Sequence, residues 1–320
     1  MRRLSCSHLR CSRFTHLLVL RAVQGLGVAL TIPASMALMA TASNKETRGG
    51  SMGIYSTARM AGFATGPLMG GFLYDHFGFN MAFCTGAFFI LLALILVQVL
   101  IKEEPTQIPV KDGHPFQIID RRLLNAGILG AGLATFMMAG AFSMMTPLET
   151  EFNTRLHETA FDFSIAFSAL LASRLLLQIP LGRLSDRYGR KLFIIAGLIL
   201  TAFSTALLGE ARTTLELIWL RVLQGFGAAG IASPAFALAA DLAKQGGEGR
   251  QMSILTMGFG LGIAVGPLLA GLLAVFNFEL PFLFVGLMLM LSAGVIYHFV
   301  PETVQRKPKI RMEGFRDPLA

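Results

Sequence analysis

The chain has 320 residues, of which 54% are hydrophobic and only 14% are charged. Soluble globular domains carry closer to a quarter of charged residues, so this composition excludes an ordinary water-soluble domain and favours a protein of the lipid bilayer. The formal net charge of +8 does not indicate a nucleic-acid partner, and we expect none, because the positive residues fall between apolar segments as they do in membrane proteins.

Residues 1–16 form a basic N-terminal tail that contains no acidic residue. A signal or transit peptide is disfavoured, because the apolar run that follows is too long for a signal-peptide core and contains Arg21 and Gln24. The cysteine and histidine residues of the tail do not have the paired spacing of zinc ligands. We therefore predict no metal site and no cofactor.

Nine apolar segments follow, each long enough to cross a bilayer as a helix, which needs about 20 apolar residues. Their apolar residues continue around the helix and do not alternate with period two, which disfavours β-barrel strands. We predict an all-α polytopic membrane protein with nine transmembrane helices. The predicted spans are residues 17–42, 52–74, 81–101, 124–148, 161–181, 192–209, 215–242, 252–276 and 281–300.

Lys and Arg residues are distributed unequally between the two sides of these spans. One set of loops together with the C-terminal tail contains 17 of them, whereas the opposite loops contain two. The positive-inside rule therefore places the first set, and the C-terminus, in the cytoplasm. An odd number of spans then leaves the basic tail of residues 1–16 outside, against the rule, and three further helices before residue 17 would remove the conflict.

The chain repeats itself at an offset of 200 residues, which indicates two homologous halves. Arg21 and Gln24 recur as Arg221 and Gln224, and several glycines recur with them without a gap. Three apolar segments precede the later copy in its half, but only twenty residues precede Arg21. The repeat therefore leads to the same expectation, that the first half is short by three helices.

A polar segment at residues 182–191 lies between two predicted spans, and we expect a very short loop there. Its glycines permit tight backbone geometry, and its positive residues hold it on the cytoplasmic side. The string resembles the signature loop of the major facilitator superfamily. The residues that carry the resemblance are Gly182, Asp186, Arg187, Gly189, Arg190 and Lys191.

Two further motifs are similar to those of the same superfamily. The pairs Arg21–Gln24 and Arg221–Gln224 look like its helix-4 motif and the copy in helix 10. A second motif looks like that of helix 5, which in this superfamily is associated with proton-coupled antiporters; it comprises Gly62, Gly66, Pro67, Gly70 and Gly71, with Gly262, Gly266, Pro267 and Gly271 in the later copy. The resemblance covers residues 17–303 and implies helices 4–12 of a twelve-helix transporter, with helices 1–3 missing.

Arg21, Arg221 and Arg174 each lie within a predicted span. A charge there costs at least about 2.5 kcal/mol on insertion scales, so each should face a wet cavity or a partner, unless it snorkels to the interface. Arg174 lies about two turns from the end of its span. The resemblance implies that the helix-4-type arginines line the central cavity and take part in proton coupling. Our candidate coupling residues are Arg21, Gln24, Arg221, Gln224 and Arg174.

The repeated glycines recur every four residues and share one helical face. Small residues at this spacing let helix backbones approach closely. Such a face serves either as plain helix packing or as a seam that stays sealed while two halves rock, and the pattern does not separate the two interpretations.

Met137, Met138, Phe142 and Met145 cluster in one predicted span. Flexible methionine and aromatic side chains form surfaces that adapt to varied apolar ligands, so we treat these residues as candidates for a substrate pocket. The alternative is that they face lipid or the protein core. A pocket of this kind favours lipophilic or drug-like substrates over sugars.

The predicted organisation is a basic tail (1–16), a partial N-terminal bundle (17–101), a cytoplasmic linker (102–122), a six-helix C-terminal bundle (123–300) and a cytoplasmic tail (301–320). We predict a secondary active transporter of the bacterial inner membrane, which exports small lipophilic molecules by alternating access, with protons as the coupling ion. The alternatives are a non-transporting truncated remnant or mis-started reading frame, and an importer of metabolites or sugars. An enzyme is not expected, because no catalytic cluster or phosphate-binding loop occurs.

Overall fold

The computed structural model describes residues 15–31, 35, 48–100, 125–242 and 248–303. Most of the tail 1–16, the linker 102–122 and the tail 301–320 therefore lies outside the described residues. No strand occurs within the described ranges. The helices are α1 (Thr15–Thr31), α2 (Arg48–Phe77), α3 (Phe79–Leu100), α4 (Ala126–Ser143), a 3-10 helix (Thr146–Leu148), α5 (Glu149–Leu156), α6 (Ala160–Tyr188), α7 (Arg190–Leu208), α8 (Thr214–Asp241), α9 (Glu248–Ala274) and α10 (Leu280–Phe299).

Seven helical segments of the described chain are long and apolar enough to cross a membrane. They are α3, the combined segment from α4 to α5, α6, α7, α8, the part of α9 from Met252, and α10. These segments confirm the prediction of an all-α polytopic membrane protein. The count of nine spans stays a prediction, because α1 is described only over Thr15–Thr31 and α2 is not among the seven.

The chain divides into two units, residues 1–61 and residues 62–320. The first unit contains α1 and the beginning of α2, and the second contains the remainder of α2 and all later helices. The predicted bundles at 17–101 and 123–300 remain a prediction.

Short polar residues begin three of the helices in the second unit. The side chain of Asn125 accepts a hydrogen bond from the amide of Ile128 at the start of α4, and Thr213 does the same for Glu216 at the start of α8. Thr159 and Asp162 form a reciprocal capping box at the start of α6. Each arrangement satisfies an amide that has no partner inside its own helix.

Helix α8 lies at the centre of the second unit. It packs against α6, α7 and α4, while α4 also packs against α9 and α10, and α10 packs against α7. The outward faces of these helices are strongly apolar; Leu268, Leu176 and Val275 are 73%, 75% and 80% exposed. An apolar surface of this extent is typical of contact with lipid and not with water.

Glycines bring the helices of the second unit almost into backbone contact. A methyl group on Gly266 of α9 would lie 2.6 Å from the carbonyl oxygen of Gly140 in α4, and one on Gly227 of α8 would lie 2.8 Å from the carbonyl oxygen of Gly197 in α7. Both distances are shorter than real side chains tolerate. The earlier copies differ, because a methyl group on Gly27 or Gly66 would meet no atom of the described chain within 4 Å.

We expect Gly266→Ala to lower the stability of the protein, because the new methyl group would press on the backbone of α4, and overpacking of this kind costs about 1–3 kcal/mol. The matched change Gly66→Ala should be neutral or stabilise by up to about 1 kcal/mol, since alanine favours helix and the space is open. Thermal unfolding of the detergent-purified chain measures both, and equal shifts in Tm would contradict the difference in packing.

Candidate functional site

Arg221 lies in the middle of the packed helices of the second unit. It is 1% exposed and is the largest fully buried side chain in the described chain. Its Nη1 donates a hydrogen bond of 2.6 Å to Oε1 of Gln224, one turn further along α8. The spacing of three residues puts both side chains on the same helix face, which is why the pair forms locally.

Gln224 connects this arginine to two further helices. Its Nε2 donates to the carbonyl oxygen of Ala141 in α4 at 3.3 Å and to Oγ1 of Thr205 in α7 at 2.9 Å. Gln224 is itself 1% exposed. The amide side chain therefore uses its oxygen to hold the guanidinium and its nitrogen to fasten α8 to α4 and α7.

The positive charge of Arg221 is only partly compensated. Within the described residues no carboxylate forms an ion pair with it, and its Nε and Nη2 are buried without a hydrogen-bond acceptor. The ring of Phe167 in α6 lies 5.5 Å from Cζ, a distance at which a cation is attracted to an aromatic face. A buried charge with free donors is energetically costly. Its unused N–H groups are available to donate hydrogen bonds to a polar group or to water.

The earlier copy of this pair keeps the local bond but not the surroundings. Nη1 of Arg21 donates to Oε1 of Gln24 at 3.1 Å in α1, yet both residues are exposed in their own unit. The repeated sequence therefore specifies the hydrogen bond within the helix, and only the later copy is enclosed by other helices of its unit.

Arg174 is buried in α6, with 7% of its surface exposed. Helix α6 runs to Tyr188 and does not end near residue 181 as predicted, so Arg174 lies about four turns from the helix end and not two. The position is consistent with the selection of Arg174 as a candidate, and its role stays a prediction.

The predicted loop at residues 182–191 is helical except at one residue, and the loop prediction was wrong in this respect. Residues 182–188 form the last turns of α6, and α7 begins at Arg190. Gly189 makes the whole connection, with φ of 120°, a conformation that only glycine adopts without strain. Polar composition suggested a loop, but a single left-handed residue is sufficient to reverse the chain.

The side chain of Arg190, at the start of α7, bridges acidic residues at the ends of α6 and α8. Its side chain contacts Asp186 of α6 at 3.3 Å and Asp241 at the end of α8 at 2.5 Å, and it also donates to the carbonyl oxygen of Ala237. Arg187 and Lys191 remain at the surface or partly so. Among the positively charged signature residues that the structure describes, Arg190 is therefore the one that forms ion pairs.

A second acidic side chain caps the start of α7. The carboxylate of Glu302 accepts hydrogen bonds from the backbone amides of Arg190 at 3.0 Å and Lys191 at 3.2 Å, where the helix dipole is positive. The hydroxyl of Thr303 donates to Asp241 at 2.9 Å. Sequence analysis missed Asp241, Glu302 and Thr303; their only signal was polar residues placed directly at the ends of α8 and α10.

The four pocket candidates do not form one surface. Met138 and Met145 are buried in the core, at 3% and 0% exposure. Met137 lines a narrow crevice of about 50 Å³ between α4, α9 and α10, and Phe142 packs against Phe167 with ring centres 4.9 Å apart. Met137 is thus the only one of the four that lines this crevice, and their role in substrate binding stays a prediction.

Groups of His, Cys, Asp and Glu that could hold a metal ion are not found in the described part of the chain.

Comparison with known proteins identifies one family. A sequence profile of the Major Facilitator Superfamily matches residues 4–172 and 129–319. An uncharacterized MFS-type transporter of Methanocaldococcus jannaschii is 28% identical over 182 residues, which is 57% of this chain and 47% of that protein.

Two relatives have names that state an activity. The multi-drug resistance efflux pump PmrA homolog of Lactococcus lactis is 27% identical over 84% of this chain and 67% of its own length. The multidrug resistance protein MdtG of Salmonella typhimurium is 31% identical over 65% of this chain and 52% of its own length. The chain thus spans about half to two thirds of the relatives it matches.

Gln224→Ala should destabilise the protein by about 1–3 kcal/mol, because it removes the acceptor of a buried guanidinium and leaves polar groups of three helices without partners. Gln24→Ala removes the same local bond at an exposed position and should change stability by less than about 0.5 kcal/mol. Denaturation of both variants in detergent is the measurement, and a large loss in Gln24→Ala would contradict the contrast in burial.

Glu302→Ala should loosen the start of α7, at a cost of about 0.5–2 kcal/mol, as for other side chains that cap helix amides. Hydrogen exchange followed by mass spectrometry should show faster exchange at Arg190 and Lys191. Glu210→Ala, which removes an exposed carboxylate near the start of α8, is the control and should leave that peptide unchanged. Unchanged exchange in Glu302→Ala would exclude the capping role.

Proposed function

Because the chain belongs to the Major Facilitator Superfamily, we propose that it is a secondary active transporter that exports small lipophilic or drug-like molecules in exchange for protons. The names of its relatives as multidrug efflux pumps support this choice of substrate class. Strongly apolar, lipid-type surfaces and helices of membrane-spanning length support its place in a bilayer.

The observation that carries the proposal is the buried, incompletely satisfied Arg221. Its guanidinium has donors left over at a point where α4, α6, α7 and α8 meet. A protein keeps such a charge inside a membrane bundle chiefly where a substrate, an ion or water completes it in another state. In alternating access, a group of this kind can exchange its partners between two arrangements of the helices.

The distribution of positive charge supports one orientation of the chain. The end of the second unit that contains Arg190, Asp241 and Glu302 has most of the Lys and Arg residues of the described helix ends nearby. We propose that this end is cytoplasmic, in a bacterial inner membrane, by the positive-inside rule. We also propose that residues 17–101 and 123–300 act as the two moving bundles.

Substituting Arg221 tests the proposal. In cells that overexpress the full chain, we expect ethidium efflux to fall at least about tenfold in Arg221→Gln, because one transition-relevant buried charge is worth more than 1.4 kcal/mol. Arg221→Lys should restore little, since an ammonium cannot reproduce the fork that contacts Gln224. Arg212→Gln, at an exposed position between α7 and α8, is the control and should leave efflux unchanged.

The outcomes separate the parts of the proposal. Efflux by Arg221→Gln at the level of the unmodified chain, with equal amounts in the membrane, would remove Arg221 from the mechanism. Efflux that survives collapse of the proton gradient by a protonophore would refute proton coupling. Absence of efflux from the unmodified chain in reconstituted vesicles would show that it does not transport on its own.

A further inference from the structure

A cavity of the second unit lies at the end of α6 that is remote from Gly189. It has a volume of about 780 Å³, within the range of about 300–1,000 Å³ that is usual for sites of drug-sized ligands. Its walls come from the last turns of α2, the first turns of α3, α5 and the beginning of α6. Since α6 has 29 residues, this cavity is roughly 40 Å from the charged cluster around Arg190.

Aromatic rings form much of the wall of this cavity. They are Tyr74, Phe79, Phe83, Phe163 and Phe167. The last of these also faces Arg221, so the inner wall of the cavity borders the buried arginine site. Aromatic faces carry partial negative charge and attract cations without a strongly held water shell.

The charged groups of the cavity are all acidic. Glu149 and Glu158 line it, and none of the described lining residues is Lys, Arg or His. Both carboxylate oxygens of Glu158 are screened from solvent. Burial raises the pKa of the Glu158 carboxyl, Asp162 raises it further, and the hydroxyl of Thr214 offsets part of the effect. Among the described residues, no Lys or Arg forms an ion pair with this carboxylate.

Positive and negative side chains next to the cavity are already engaged elsewhere. Arg155 of α5 forms an ion pair with Glu151 at 2.8 Å and lies 3.9 Å above the ring of Phe278. Asp75 of α2 accepts a hydrogen bond of 2.9 Å from the amide of Phe161 at the start of α6. Arg155 therefore does not supply the positive charge that would neutralise Glu149 and Glu158.

We propose that this cavity binds a monovalent organic cation with an apolar aromatic body. Five aromatic rings accommodate the body, and two carboxylates neutralise the charge and repel anions of the same shape. The cavity binds such a ligand whether or not the chain transports it. A role of this cavity in the export of such cations rests on the proposed function above.

Equilibrium binding to the purified full chain tests the charge requirement. Tetraphenylphosphonium should bind, and tetraphenylborate, which has the same shape and opposite charge, should bind at least about tenfold more weakly. Glu149→Gln and Glu158→Gln should each weaken tetraphenylphosphonium binding several-fold. Glu210→Gln makes the same charge change at an exposed position outside the cavity wall and should leave the affinity within about twofold.

Thiol protection tests the location. Ala82 lines the cavity, whereas the neighbouring exposed Cys84 does not. In a chain with Cys6, Cys11 and Cys84 replaced by serine, tetraphenylphosphonium should slow maleimide reaction of the thiol introduced by Ala82→Cys. In a second chain that retains Cys84 alone, the rate should not change.

Equal affinity for the two ions, or equal effects of Glu149→Gln, Glu158→Gln and Glu210→Gln, would overturn the proposal. Protection of Cys84 together with no protection at position 82 would place the ligand elsewhere and would also overturn it. Circular dichroism and size-exclusion profiles identify any variant that fails to fold, and the other of the two carboxylate variants then carries the charge test. Binding with these properties but without efflux would refute the proposed function and leave the cavity assignment standing.

Discussion

The enclosure of the Arg221 charge by Gln224 is the constraint on which the second unit depends. A guanidinium in a membrane bundle needs acceptors, and the neighbouring amide supplies one while its nitrogen fastens α8 to α4 and α7. The helices must therefore approach closely enough for these bonds to form. Close approach in turn requires small residues on α8 and its neighbours, which is where the glycines lie.

The two copies of the repeat share one sequence pattern but differ in their structural surroundings. The arginine and glutamine form the same bond within the helix in both copies, because that bond depends only on spacing. Burial depends on the rest of the unit, and there the copies diverge: Gly227 and Gly266 face neighbouring backbone, whereas Gly27 and Gly66 have open space. The motif thus determines the hydrogen bond within the helix, and the neighbouring helices determine how strongly that pair contributes to stability.

Hydropathy and length were sufficient to predict an all-α membrane protein, because a run of apolar residues has few other stable conformations in a bilayer. The same approach missed α5, which is short and polar, and it assigned residues 182–188 to a loop although they are helical. Polarity marks proximity to water and does not by itself indicate a break in a helix. Only the φ of Gly189 reveals where the chain turns.

Contacts between distant residues were the part of the site beyond the reach of sequence patterns. Glu302 is more than a hundred positions from the amides that it caps, and Asp241 and Arg190 come from different helices. No periodicity links such positions, so the pairings become visible only when the helices are packed. Arg221 could be selected in advance because a charge inside an apolar run is conspicuous, whereas a carboxylate at a helix end is ordinary.

The one-residue junction at Gly189 has a consequence for how this part of the molecule can change shape. A longer loop would let α6 and α7 tilt independently, but a single residue leaves no slack to absorb a difference in tilt. Glu302 closes the remaining space, since it lies where a side chain at position 189 would have to be, 2.7 Å from that point. A displacement of the last turn of α6 therefore also moves the first turn of α7 and the Glu302 carboxylate that caps it.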